Sequence, residues 1–183
     1  MNKKLIISGL AVLVLLFVVG LYLLFQKTSS LPPTTIPDIS FKSLIPGKST
    51  KNEIVEILGT PKKESVSGNN NTLLEYDSDS AVYNNQITLS GDVVDIIKEV
   101  VTLKNPKYAQ DIKKVRGDPK YFLYGSDSYA GFNLYIYPED GIAYLGNPHT
   151  GLLLEIWYFP STTFDLFKEK YATDYSETLE ERQ

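Results

Sequence analysis

His149 is the only histidine of the chain, and there is no cysteine. A zinc centre built from Cys and His therefore has no ligand set. A Ser–His–Asp arrangement needs its nucleophile on a recognisable sharp turn, and no G-x-S-x-G occurs. His149 itself stands in Gly146-Asn147-Pro148-His149-Thr150-Gly151, whose composition is that of a solvated loop. Asp77-Ser78-Asp79-Ser80 opens like a calcium loop. Ala81 then occupies the third ligand position and Val82 the glycine position, so the segment reads as a turn between strands. The glycines form neither a phosphate-binding loop nor a dinucleotide fingerprint. The 22 acids offer many pairs for a carboxylate-dependent hydrolase, but no apolar cleft is implied around any of them. The sequence thus predicts no catalytic residue, no cofactor and no metal ligand.

Aromatic residues carry the stronger signal. Tyr121, Phe122, Tyr124, Tyr129, Phe132, Tyr135, Tyr137, Tyr144, Trp157, Tyr158 and Phe159 crowd the second half of the chain. Strand alternation places Tyr135 and Tyr137 on one face, with Leu134 and Ile136 on the other. If Leu134, Ile136, Leu154 and Ile156 are core, then Tyr135, Tyr137 and Trp157 form an outer face. Rings of this kind supply large contact area at low entropic cost, so those three are the predicted partner-binding residues. A C-terminal helix bearing Phe164 and Phe167 is the competing cover for the same face.

These residues must be positioned by short elements. Thr50 with Glu53 makes a capping box, Ile54, Ile57 and Leu58 an apolar stripe, and Gly59 and Pro61 a stop, which predicts a short helix within 49–61. Gly59 and Pro61 recur as Gly117 and Pro119. Asn105 is there the predicted cap and Pro106 the first helical position, with Tyr108, Ile112 and Val115 facing one way. Turn residues between β-branched and aromatic runs follow each stop and predict antiparallel strands. The longest of these is expected over 93–103. Phe164, Phe167, Tyr171 and Tyr175 have helical spacing after Pro160, with Thr162 and Asp165 as the predicted capping box.

Leu5–Phe25 contains no charge, and Ser8 is its one polar side chain. About 20 apolar residues suffice to cross the ~30 Å hydrocarbon core. A cleaved secretory signal would have a shorter apolar region and a small-x-small exit, which LYLLFQK lacks. Lys3 and Lys4 precede the span and Lys27 follows it, which predicts a cytoplasmic N-terminus. All 22 acids lie beyond that point. An acidic body makes nucleic acid a poor partner. Gln26 to about Ser40 is rich in Pro, Ser and Thr and reads as an extended stalk.

Ile45-Pro46-Gly47-Lys48-Ser49-Thr50, then Ile54 and Ile57-Leu58-Gly59-Thr60-Pro61, then Leu74-Glu75-Tyr76, resemble the SmpA/OmlA (BamE-like) family. Its signature is a G-x-[ST] turn, a short helix ending L-G-x-P and an aromatic-bearing strand. Tandem copies of such units occur in the β-lactamase-inhibitor-protein fold, which the second half resembles more weakly. The family's lipidated Cys is absent, and Lys104-Asn105-Pro106 replaces the second G-x-[ST] turn. The resemblance implies an envelope protein that binds other proteins without doing chemistry.

The expected fold class is α+β: an N-terminal transmembrane helix, two tandem helix-plus-antiparallel-meander repeats and a C-terminal helix. Its segments are a cytoplasmic tail 1–4, a transmembrane helix 5–25, a linker 26–43, repeats 44–103 and 104–159, and a C-terminal helix with acidic tail 160–183. The expected protein is a single-pass cell-membrane protein with an extracytoplasmic domain that binds another envelope protein or assists envelope assembly. Two alternatives stand beside it: an inhibitor of an extracytoplasmic enzyme, acting through Asp127–Gly131 or Asn147–Gly151, and a small hydrolase.

Overall fold

A computed structural model describes residues 40–67 and 71–179. They fall within one compact unit, Ile39–Gln183. Helix α1 is Lys51–Leu58, and strands β1 to β4 are Lys63–Ser67, Asn71–Tyr76, Asn85–Ser90 and Val93–Val100. Helix α2, Ala109–Arg116, precedes β5 to β8: Tyr121–Leu123, Asn133–Tyr137, Ile142–Gly146 and Leu153–Tyr158. Helix α3 is Phe164–Tyr171.

All eight strands join one antiparallel sheet, ordered β1-β2-β3-β4-β8-β7-β6-β5. This corrects the expected architecture. The strands do not form two separate meanders, because β4 pairs with β8 and makes both runs one sheet. No helix among the described residues is long and apolar enough to cross a membrane. The expected single-pass anchor, the cell-membrane localisation and the extracytoplasmic placement therefore find no support in the described residues. The segment carrying that expectation, 5–25, lies outside the described residues, as does most of the expected stalk.

Directly paired residues of antiparallel strands point to the same face. The row Leu74, Ile87, Ile97, Tyr158, Ile142, Tyr137 is therefore on one face, and it is apolar from end to end. Ile54 and Leu58 of α1, Ala109 and Ile112 of α2, and Phe41 and Leu44 cover it. The neighbouring row, on the opposite face, reads Lys63, Glu75, Gln86, Lys98, Trp157, Ala143, Ile136, Tyr121. It is polar over β1–β4 and apolar over β5–β8. Phe167, Ala172, Phe164 and Tyr171 pack on its apolar half and reach Ile96 of β4.

The helix signals resolve unequally. Thr50 and Glu53 form the capping box: the Glu53 carboxylate accepts from Thr50 N at 2.7 Å, and the Thr50 hydroxyl accepts from Glu53 N at 3.4 Å. Ile57 stays 47% exposed, since one turn of so short a helix reaches the sheet. Helix α2 starts at Ala109 after an uncapped Tyr108, not at Pro106, because Asn105 is bridged to Thr102 in a preceding turn. Thr163, one residue later than expected, caps α3 by accepting from Leu166 N.

Gly59 and Gly117 end α1 and α2 with φ/ψ of 81°/−162° and 79°/−170°. That region is open essentially to glycine alone. Tyr76 donates its hydroxyl to Gly59 O at 3.1 Å, and Tyr137 donates to Gly117 O at 2.8 Å. Each tyrosine thereby ties the end of a helix to the sheet behind it. An added Cβ at either glycine meets nothing within 4 Å, so a substitution reads the backbone alone. Gly59→Ala is expected to cost about 1–3 kcal/mol in guanidinium unfolding, with Gly59→Asn no better. An unchanged midpoint for Gly59→Ala would refute this backbone.

Candidate functional site

The three rings expected to share an outer face do not share one. Tyr135 pairs with Tyr144, and Tyr144 with Ile156, so the tyrosines sit with Ile156 on the face beneath α1 and α2. Ile136 pairs with Ala143, and Ala143 with Trp157, so Trp157 is on the opposite face beneath α3. Alternation sets parity within a strand, but the register between β6, β7 and β8 sets it across them, and the expected assignment of β8 is inverted. Trp157 is 2% exposed and Tyr137 6%; Tyr135 is half-buried. Phe167 and Tyr175 pack on the indole with centroids 6.3 Å and 5.8 Å away. Its N–H donates to Glu155 at 2.7 Å, and the Lys98 ammonium lies 3.7 Å from the ring centroid. These are core interactions. Tyr135, Tyr137 and Trp157 are corrected from a docking face to structural residues.

His149 is exposed, and its backbone N–H donates to Asn147 Oδ1 at 2.9 Å within a loop turn. Glu99 has both carboxylate oxygens engaged, by Lys107 at 2.6 Å and by the Tyr158 hydroxyl at 2.6 Å. Burial, then the adjacent Glu99 charge, push the Tyr158 phenol well above its ordinary range. Among the described residues, no group of three or more His, Cys, Asp or Glu side chains is placed to hold a metal.

A cleft does form where the β2–β3 loop, the turn after β4 and the end of β8 meet. Its volume is about 530 Å³, and Asp79, Tyr83, Leu103, Lys104, Asp127 and Glu155 are among its walls. The loop is held by its own serines. Ser78 Oγ accepts from Ser80 N at 3.0 Å and donates to Tyr83 O at 2.5 Å, while Ser80 Oγ accepts from Val82 N and Tyr83 N at 3.2 and 3.1 Å. Buried Asn85 donates to Asp77 O and accepts from Val100 N, tying the loop to β4. Asn105 donates to the Asp79 carboxylate from the other side. This explains Asp-Ser-Asp-Ser as a turn built from short side chains that bond their own backbone.

The fixed loop leaves apolar side chains in solvent: Val82 is 77% exposed, Tyr83 66% and Leu103, across the cleft, 82%. Sequence reading missed all three. Val82-Tyr83 is an apolar pair in an otherwise polar loop, which is a usable signal. Leu103 was hidden inside the strand expected over 93–103, but β4 ends at Val100. Of the two hairpin loops assigned to an inhibitor, Asp127–Gly131 reaches this cleft through Asp127.

No family model matches the chain, and no curated protein matches it. The resemblance to the SmpA/OmlA family rests on the quoted residues alone. Among solved structures the chain is similar to the crystal structure of a DUF4309 family protein (YjgB) from Bacillus subtilis subsp. subtilis str. 168. The two are 13% identical with a TM-score of 0.43, over 64% of this chain and 82% of that one.

Two outcomes follow from the burial of the rings. Trp157→Ala is expected to destabilise the fold by about 3–5 kcal/mol in denaturant unfolding, as loss of a core indole does. A change within the usual surface range of about 0.5 kcal/mol would return Trp157 to the surface. Burial also pushes the Tyr137 phenol from 10.0 up to about 12. The unfolded chain then releases that proton first, so stability is full below pH 10.0 and falls as pH rises toward about 12. Unfolding midpoints between those values are expected to drop less steeply in Tyr137→Phe than in the parent, and equal slopes would contradict the assignment.

Proposed function

We propose that this protein is a protein-binding module that does no covalent chemistry, and that its docking surface is the cleft between the β2–β3 loop and the turn after β4. One observation carries the reading: Val82, Tyr83 and Leu103 are held out in solvent on a loop and a turn that hydrogen bonds have already fixed. Scattered single apolar side chains on a surface need no explanation, but Tyr83 and Leu103 on the walls of one concavity, with Val82 next to Tyr83 in the chain, mark an interaction site. A preordered rim also avoids much of the ordering cost of association. The local settings of His149 and Glu99 support the same reading. His149 lies in an exposed turn, and the Glu99 carboxylate is occupied by Lys107 and Tyr158.

Photo-crosslinking tests this position by position. Benzoylphenylalanine in place of Leu103, in the full chain expressed in its native cells, is expected to give a discrete protein adduct. The same group in place of exposed Lys120 is expected to give none, and Tyr83→Ser is expected to abolish the Leu103 adduct. Equal labelling from both positions, or none from Leu103, rejects the cleft as a docking surface.

A further inference from the structure

Nine ion pairs match acids with bases among the described residues. Three carboxylates of the cleft wall, Asp79, Asp127 and Glu155, belong to none of them. Asp79 accepts from the Asn105 amide and Glu155 from the Trp157 indole N–H. Both donors are neutral, so hydrogen bonding leaves the negative charges in place. Among the described residues Lys104 is the one cation of the wall, and Lys98, over Trp157, offsets part of the charge on Glu155. The cleft is thus apolar at its rim and net negative along its walls. The Thr102 hydroxyl, in the same wall, is buried without a hydrogen-bond partner among the described residues.

Resting on the protein-binding reading above, we infer that the occupant is a cationic segment of a partner protein in which Lys or Arg side chains alternate with apolar ones. The apolar side chains bury against Tyr83 and Leu103. The cationic ones meet Asp79, Asp127 and Glu155, whose charges no ion pair among the described residues neutralises. Opposite potentials across such an interface speed encounter and reject partners of like charge. An acidic segment or a nucleic-acid backbone is repelled by the same wall.

The test uses labelled synthetic peptides of alternating Lys–Leu, Glu–Leu and Lys–Ser, read by fluorescence anisotropy against the full chain. Lys–Leu is expected to bind, more weakly at higher salt because part of the attraction is screened. Glu–Leu is expected not to bind, and Lys–Ser to bind less tightly than Lys–Leu. Combining Asp79→Asn, Asp127→Asn and Glu155→Gln is expected to weaken Lys–Leu binding about tenfold with an unchanged melting temperature. Leu103→Ser gives an independent loss without altering charge. Equal binding of Glu–Leu, or indifference of Lys–Leu to the three charge removals, overturns the cationic occupant. So does failure of every peptide to bind. The Leu103 crosslink then reports separately whether the cleft holds a protein at all.

Discussion

Strand β4 meets strand β8, and most of the architecture depends on that meeting. Ile97 pairs with Tyr158 and Lys98 with Trp157 across it. The side chains are large and different on the two faces: Ile97 and Tyr158 belong to the core under α1 and α2, Trp157 to the core under α3. The seam also carries the polar contacts that keep it in register. Lys98 lies over the indole, Tyr158 donates to Glu99, and Val101 N donates to Leu154 O at 2.7 Å. A cation over an aromatic ring contributes about 0.5–2 kcal/mol depending on its desolvation. A slip of one residue would turn Trp157 and Lys98 to the face under α1 and α2, so burial on both faces fixes the pairing strongly.

Once that seam is set, the rest of the second face follows from composition. Lys63, Glu75, Gln86 and Lys98 leave the β1–β4 half wet, while Trp157, Ala143, Ile136 and Tyr121 leave the other half in need of cover. Helix α3 supplies it, with Phe167 against Phe159 at 4.6 Å between centroids and Phe164 stacked on Tyr121 at 4.3 Å. The chain after α3 then pairs Ser176 with Tyr124, the residue just past the end of β5.

The same organisation explains why Tyr83 and Leu103 stand out in solvent around the cleft. The apolar parts of the sheet have their own covers, so docking capacity is left to connections held by the rigid sheet. Binding residues often occupy such loops, because a scaffold can position them while the loop itself stays free to vary. Here the buried side chain of Asn85 anchors the β2–β3 loop to β4, and Asn105 holds Asp79 from the opposite bank.

Local chemistry was legible in the residues themselves. The Thr50–Glu53 box, the stops at Gly59 and Gly117, the turn character of Asp77–Ser80 and the helix near Phe164–Tyr171 all arise from interactions within a few residues, and the chain encodes those directly. The membrane span rests on such a local pattern too, but one outside the described residues. What only the tertiary structure decided is long-range: the pairing of β4 with β8, the face on which Trp157 lies, the solvent exposure of Leu103 and the assembly of the cleft. Alternation tells which residues of one strand share a side but carries no phase between strands. That phase is set by register and by which helix covers which face. The cleft joins Asp79, Leu103, Asp127 and Glu155 from four connections and strands distant in sequence, so it exists only after the sheet has closed around β4 and β8.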